Sequence, residues 1–475
     1  MSHATTLSEA VSARTQTADQ SRFWRIFGLT LLAVLAVSIG NLVDPIVRYD
    51  DYPALFAEPE GFWWKTLAEG RWVNYIWHLR GVVTPAWLNF AVYQGIWALL
   101  CAALTVAVLP GPGRMWFAAV LSLTLAVAPP ALFIAPWFNT LLPGLAIITA
   151  YALIGLRVSQ RRLRLLLPVF TVASFMAYTT FPLILLMVCI ARTPRRSLRD
   201  LAGLVLLFCS SFVGAVALTY ALNWQVHGVF GVVLDASRDP TGAHDLAGLV
   251  ANLGHLGDTF SEFLRRSSFG FVPLAVFHLI LLGLSTCVLA RRAPLEALYW
   301  HAALWIGIAL IVVQSLKLGV YVPARAFLFA WMIYAVLILR STEILSASRG
   351  FSGRMSRNAV LLITLSYLLQ SFNQWVIFRD WQHETRSIAD ELTAYPDPVY
   401  LVGEVMALPS ADKAGIQNPI AFQSRMQQLR GRRVTVCDIA PGACAELDLP
   451  DLPKGARMSV LPAEGVTFVL VPTGG

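Results

Sequence analysis

A chain of 475 residues that is 57% hydrophobic and 13% charged cannot cover a water-facing surface, since soluble domains carry about 25% charged side chains. Its formal net charge of +8 is concentrated in short arginine clusters between apolar runs, the pattern that orients a membrane protein and not one that tracks a nucleic acid. A polytopic α-helical membrane protein remains.

Residues 1–21 are polar and Ser/Thr-rich, and 1–24 read as a disordered cytoplasmic tail. The first apolar run, 25–43, is not followed by a small-residue cleavage site, so it reads as a retained span and not as a signal peptide. Further runs lie near 86–108, 115–135, 140–156, 165–178, 180–191, 201–222, 269–290, 296–315, 326–341 and 358–378. Cytoplasmic loops carry the excess of Lys and Arg. RVSQRRLR (157–164), RTPRRSLRD (192–200), RRAP (291–294), the 340–357 link, Arg114 and the N-terminal tail together hold 18. The opposite connections (44–85, 136–139, 179, 223–268 and 316–325) hold nine over a greater length. The chain is therefore expected to be N-in and C-out.

Residues 165–191 are apolar, yet both flanks are basic. One crossing would put an arginine cluster on the wrong side. A helical hairpin turning at 178–182 and buried in protein resolves this, because irregular backbone is untenable in lipid. The expected total is about eleven membrane segments, spanning 25–378.

Three pieces lie on the outer side. Loop 44–85 carries GFWWKTLAEGRWVNYIWHLRG, whose Trp63, Trp64, Trp72 and Trp77 suit a helix lying at the membrane interface. Loop 223–268 keeps Leu246, Leu249, Val250, Leu253, Phe260, Phe263 and Leu264 at helical spacing, a second interfacial helix. The tail, 379–475, has the strand-like runs PVYLVG, RRVTVCD and VTFVLVP and helical stretches at 381–394 and 416–429, so it reads as a small extracytoplasmic α/β domain. In an oxidising setting Cys437 and Cys444 are a candidate disulfide, with two free thiols as the alternative. The cysteines of the apolar runs read as small buried hydrophobes.

Phosphate loops, dinucleotide fingerprints, paired CxxC motifs, HExxH and Gly-x-Ser-x-Gly are all missing. The chemistry-bearing stretch is VRYDDYPALF (47–56), directly after the first run. Asp50 and Asp51 have an ordinary reading as a solvated boundary at a helix end. Against it, Tyr49 and Tyr52 flank the pair, a long aromatic loop with GRW (70–72) follows, and QSLKLGVYVPARAF (314–327) supplies Lys317 and Arg325. Adjacent carboxylates repel and raise one pKa, and a tuned acid serves general-base chemistry.

One span, an Asp-Asp pair, about twenty residues and then Gly-Arg-Trp resemble the Gtr-type O-antigen glucosyltransferases, within the C-type (GT-C) integral membrane glycosyltransferases. Ala-Tyr-Thr-Thr-Phe (177–181) resembles that family's Tyr-containing turn, although Thr179 stands where a Gln usually follows the Tyr. The tail resembles no family. The resemblance implies a hexosyltransferase in a bacterial cytoplasmic membrane, with its site and tail facing the periplasm. The implied donor is a polyprenyl-phosphate-linked sugar, and the acceptor a cell-envelope glycan or glycolipid such as lipopolysaccharide. It places the base at Asp50, while Asp51 would orient the acceptor, hold Arg71 or help bind a divalent metal. Arg325, Lys317 and then Arg71 are the candidates for the donor phosphate, Arg325 doubling as an interface anchor and Lys317 as a snorkelling side chain. Trp72, Tyr49, Tyr52, Tyr178 and Tyr321 are candidate lining residues. No nucleic-acid partner is expected. A secondary transporter, a polysaccharide polymerase or ligase, and a non-catalytic assembly protein are the competing readings. The first would carry charges near the midplane on broken, repeated helices, which this sequence does not show.

Overall fold

The protein is described by a computed structural model that covers residues 2–111, 114–348, 350–455 and 457–473, with side chains from Gln20 onward except at Ser237. Helix α1 spans Ser2–Val37. It starts upstream of the apolar run because no Gly or Pro interrupts residues 2–27. After it the chain passes through the outer loop, where α2 (Glu60–Glu69) and α3 (Trp72–His78) lie on either side of Gly70, whose φ of 68° permits the left-handed corner. The bundle continues with α4 (Ala86–Val108), α5 (Met115–Ala126), α6 (Phe138–Arg157), α7 (Gln160–Phe175), α8 (Pro182–Ala191) and α9 (Leu198–His227). The second outer loop contains α10 (Leu253–Ser267). Four long helices follow: α11 (Val272–Arg292), α12 (Pro294–Leu318), α13 (Leu328–Ser346) and α14 (Phe351–Val376). Among the described residues, eight helices are long and apolar enough to cross a membrane, and α5 and α8 are shorter apolar helices.

The two ends of the bundle differ in kind. At one end, ion pairs knit the arginine-rich connections together: Arg164–Asp200 at 2.7 Å, Arg196–Glu296 at 3.3 Å, Arg340–Glu296 at 2.7 Å and Arg114–Glu343 at 2.7 Å. Arg22 of α1 joins them by donating to the Leu109 and Gly111 carbonyls. At the other end lie loops 44–85 and 223–268 and the tail.

Helices α7 and α8 form a hairpin. Gln160 and Arg164, at the start of α7, both reach the Thr193 hydroxyl just beyond α8, so the pair enters and leaves at the arginine-rich end. Its tip is held by protein: Val73 N–H donates to the Met176 carbonyl at 3.3 Å and the Asn74 amide to the Ala177 carbonyl at 3.1 Å. Gly144 of α6 lets the tip approach, since a Cβ there would lie 2.8 Å from Ala177 Cβ and 2.9 Å from Phe181.

The stretch read as one interfacial helix in 223–268 is two. Leu246–Ala251 forms a short helix, Asn252 breaks it by donating its amide to the Thr241 and Leu316 carbonyls, and α10 follows. Leu246, Val250 and Leu253 stay exposed, while Phe260 and Phe263 pack on Phe327.

The tail opens with α15 (Arg379–Glu391), followed by β1 (Val399–Val402), α16 (Ile420–Arg430), β2 (Thr435–Val436), β3 (Ser459–Ala463) and β4 (Val466–Leu470). The sheet order is β2-β1-β4-β3, with β1 parallel to β2 and β4 and with β3 antiparallel to β4. Strand β3 was not anticipated from sequence. It is a mostly exposed edge containing Pro462, where alternation is weak and a proline is tolerated. Cys437 and Cys444 are joined by a disulfide.

Candidate functional site

Asp51 is a buried anchor. Its carboxylate, 0% exposed, accepts from Thr140 N–H at 2.7 Å, Asn139 N–H at 3.2 Å and the Asn139 amide at 2.8 Å. Asn139 and Thr140 are in the first turn of α6, where backbone N–H groups lack helical partners and a negative charge is favoured. Burial pushes the Asp51 carboxyl up to about 6, with the Thr140 and Asn139 donors pulling it down and the Asp50 charge adding to the rise. Asp51 is thus fully buried with both oxygens engaged by α6, and among the described residues it makes no ion pair with Arg71, which pairs with Glu69.

Asp50 points the other way. Its side chain is 32% exposed. Trp137 Nε1–H donates to Oδ1 at 2.5 Å, and Lys65 Nζ lies 3.3 Å from Oδ2 and 2.8 Å from the Asp50 carbonyl. Burial alone would raise its pKa, but Lys65, the Trp137 hydrogen bond and Arg71 outweigh burial and hold the carboxyl below its ordinary value. Asp50 is thus ionised at neutral pH, while repulsion between the neighbours is felt at Asp51.

Trp137 links the acid to the cations. The Arg325 guanidinium lies over its ring at 4.4 Å and that of Arg48 at 5.5 Å. Among the described residues Arg325 makes no ion pair with a carboxylate. Arg71 pairs with Glu69, which also takes Arg238 at 2.8 Å, and lies 5.6 Å from the Tyr178 ring. The Arg325 and Arg71 charges both act on the Tyr178 hydroxyl. Tyr49 adjoins Asp50 in the chain, and burial first and then the Asp50, Asp235 and Glu69 charges raise its hydroxyl above the ordinary value. The structure therefore brings together Asp50, Tyr49, Arg71, Tyr178 and Arg325, drawn from the outer loop, the hairpin tip and the turn before α13.

The other sequence candidates lie apart. Lys317 donates to the Ala243 carbonyl, closing a clasp in which Ala243 N–H returns 2.9 Å to the Lys317 carbonyl. Trp72 is buried, with its indole on Asn223 at 2.9 Å. Tyr52 is buried against Phe56 and faces Gln428 of the tail at 3.4 Å. Tyr321 is 41% exposed. Among the described residues no group of three or more His, Cys, Asp or Glu is placed to hold a metal ion.

Sequence reasoning missed Trp137, Lys65 and Glu69. Lys65 had a signal, being one of four lysines in the chain and within a loop already singled out. Trp137 sits in a four-residue connection whose contacts only the fold defines.

Fold and site together define a multi-pass helical membrane protein with a polar, charge-lined floor at one end, beneath a small α/β domain. The chain matches no family among known protein families and no curated protein.

Proposed function

We propose that the protein is an inverting glycosyltransferase that moves a sugar from a polyprenyl-phosphate donor to a cell-envelope glycan or glycolipid at the outer face of a bacterial cytoplasmic membrane. The observation that carries this reading is the Trp137 junction. One indole joins a half-open, ionised carboxylate to a guanidinium that has no carboxylate partner among the described residues.

In this reading the Asp50 carboxylate accepts the proton of an acceptor hydroxyl as that oxygen attacks the anomeric carbon. The bond from that carbon to the donor phosphate breaks, and its electron pair leaves on the phosphate oxygen. Arg325 stabilises that charge, its forked donors suiting a phosphate and its position beside the apolar Trp137 face keeping it poorly hydrated. Arg71, already neutralised by Glu69, contributes less. Asp51 takes no proton in this scheme and fixes the backbone that carries Asp50.

Among the described residues the ion pairs of the bundle gather at its two ends, which favours this chemistry over the transporter reading. The test is transfer from a labelled polyprenyl-phosphate hexose in membranes with matched protein levels. Asp50→Asn is expected to lower transfer by about 10²–10⁴-fold while still retaining donor. Arg325→Ala is expected to lose donor binding and transfer together. Normal transfer in both variants would reduce the acid to a boundary residue and bring transport forward.

A further inference from the structure

The arginine-rich end carries a cavity that the proposed reaction does not use. It opens between α7 and α9, lined by Arg161, Arg164, Leu165 and Pro168 on one side and by Asp200 and Leu207 on the other. The α7 residues are spaced i, i+3, i+4, i+7 and so share one face. On α9, Gly203 lies one turn from both Asp200 and Leu207, and a Cβ there would meet nothing within 4 Å. A side chain at 203 would project into open space from the helix face that carries Asp200 and Leu207.

The cavity has two zones. Arg164 forks onto Asp200 with both contacts at 2.7 Å, and the Tyr299 hydroxyl donates to the same carboxylate at 2.7 Å, so the acid is neutralised. Arg161 lies nearly one turn closer to the helix start, exposed, and among the described residues it makes no ion pair. Deeper into the bundle the walls are apolar, and Leu165 is 70% exposed. A free cation above an open apolar wall matches a charged head over an acyl chain and not a soluble nucleotide or peptide.

The hairpin gives a reason for a lipid here. With 16 residues in α7 and 10 in α8, the two arms reach about 24 and 15 Å at 1.5 Å per residue, short of the ~30 Å hydrocarbon core. Arm α8 is buried within the bundle, whereas α7 leaves Leu165 and Val169 exposed on the face that lipid would cover.

We propose that this groove binds an anionic phospholipid of the arginine-side leaflet, its phosphate against Arg161 and an acyl chain along Leu165, Pro168 and Leu207. The test uses the full chain in phosphatidylcholine nanodiscs doped with phosphatidylglycerol, reading retained lipid by native mass spectrometry. Circular dichroism and gel filtration confirm that each variant is folded. Wild type is expected to retain phosphatidylglycerol over phosphatidylcholine. Arg161→Gln is expected to weaken retention about fivefold, the effect of one basic residue at an anionic surface. Gly203→Phe is expected to displace the lipid without altering charge, and Arg195→Gln, an exposed arginine outside the groove, to stay within twofold of wild type. Equal losses in Arg161→Gln and Arg195→Gln would reduce the effect to a diffuse field and overturn the site. So would full retention in Gly203→Phe, or equally tight binding of soluble glycerol phosphate.

Discussion

Two adjacent aspartates have opposite fates because consecutive side chains in this turn diverge. Asp51 is committed to the first turn of α6, and Asp50 is left for the solvent-facing floor. Removing the Asp51 acceptor strands buried N–H donors, each costing about 1–3 kcal/mol. Asp51→Ala is therefore expected to lose about 3 kcal/mol or more in thermal or chemical unfolding in detergent, whereas Asp50→Asn, with its partly exposed side chain, stays near wild type. The reverse ordering would mean that the anchor is misassigned. At Asp50 the folded pKa lies below the ordinary value. If Asp50 is the base, transfer falls only as pH drops below the usual carboxylate range. Lys65→Met removes a lowering charge and is expected to move that acidic limb upward, a shift that a purely structural lysine would not produce.

At the scale of elements, the hairpin is the piece that most depends on close packing. It supplies Tyr178 to the floor, and its tip rests against Gly144 and α3. Gly144→Ala sets a methyl at 2.8 Å from Ala177 Cβ, and such overpacking costs about 1–3 kcal/mol. The expected result is a lowered unfolding temperature together with a loosened tip, read as faster hydrogen exchange over 176–181. A different element-scale device joins α11, α13 and α14. Tyr334 donates to His278 Nδ1 at 2.7 Å, and Nε2–H donates at 2.7 Å to Tyr367, which donates in turn to the Ser267 carbonyl at 2.5 Å. Every member of that chain is satisfied, so it reads as interhelical glue.

At the scale of the whole molecule, the tail is clamped to the loop that carries the acids. Arg425, 2% exposed, meets Asp44 at 2.5 Å, and Arg386 reaches the same oxygen at 3.1 Å. Arg48 donates to the Ala414 and Gly415 carbonyls, and Arg433 pairs with Glu58 at 2.7 Å. Breaking a buried pair from one side leaves an uncompensated charge and costs about 3–5 kcal/mol. Asp44→Ala is thus expected to release the tail to limited proteolysis near 377–379, whereas Asp44→Ala with Arg425→Met restores much of the protection. Equal protease resistance in wild type and Asp44→Ala would show that the other contacts suffice.

The sequence by itself determined the class, a multi-pass helical membrane protein. Hydrophobic runs and arginine counts act through bulk transfer energies, which need no knowledge of partners. For the same reason the hairpin at 165–191 was legible, since only a return of the chain reconciles two basic flanks with one short apolar stretch. The Asp50–Asp51 pair was visible as chemistry out of place. Which aspartate faces the floor was decided by tertiary structure, because the choice depends on the unpaired N–H groups of α6, 88 residues away. Contacts of that span also separated Arg325, laid on Trp137, from Lys317, spent on a backbone carbonyl. They placed the tail on residues 44–58, where its cations meet acids that the linear sequence gives no reason to pair.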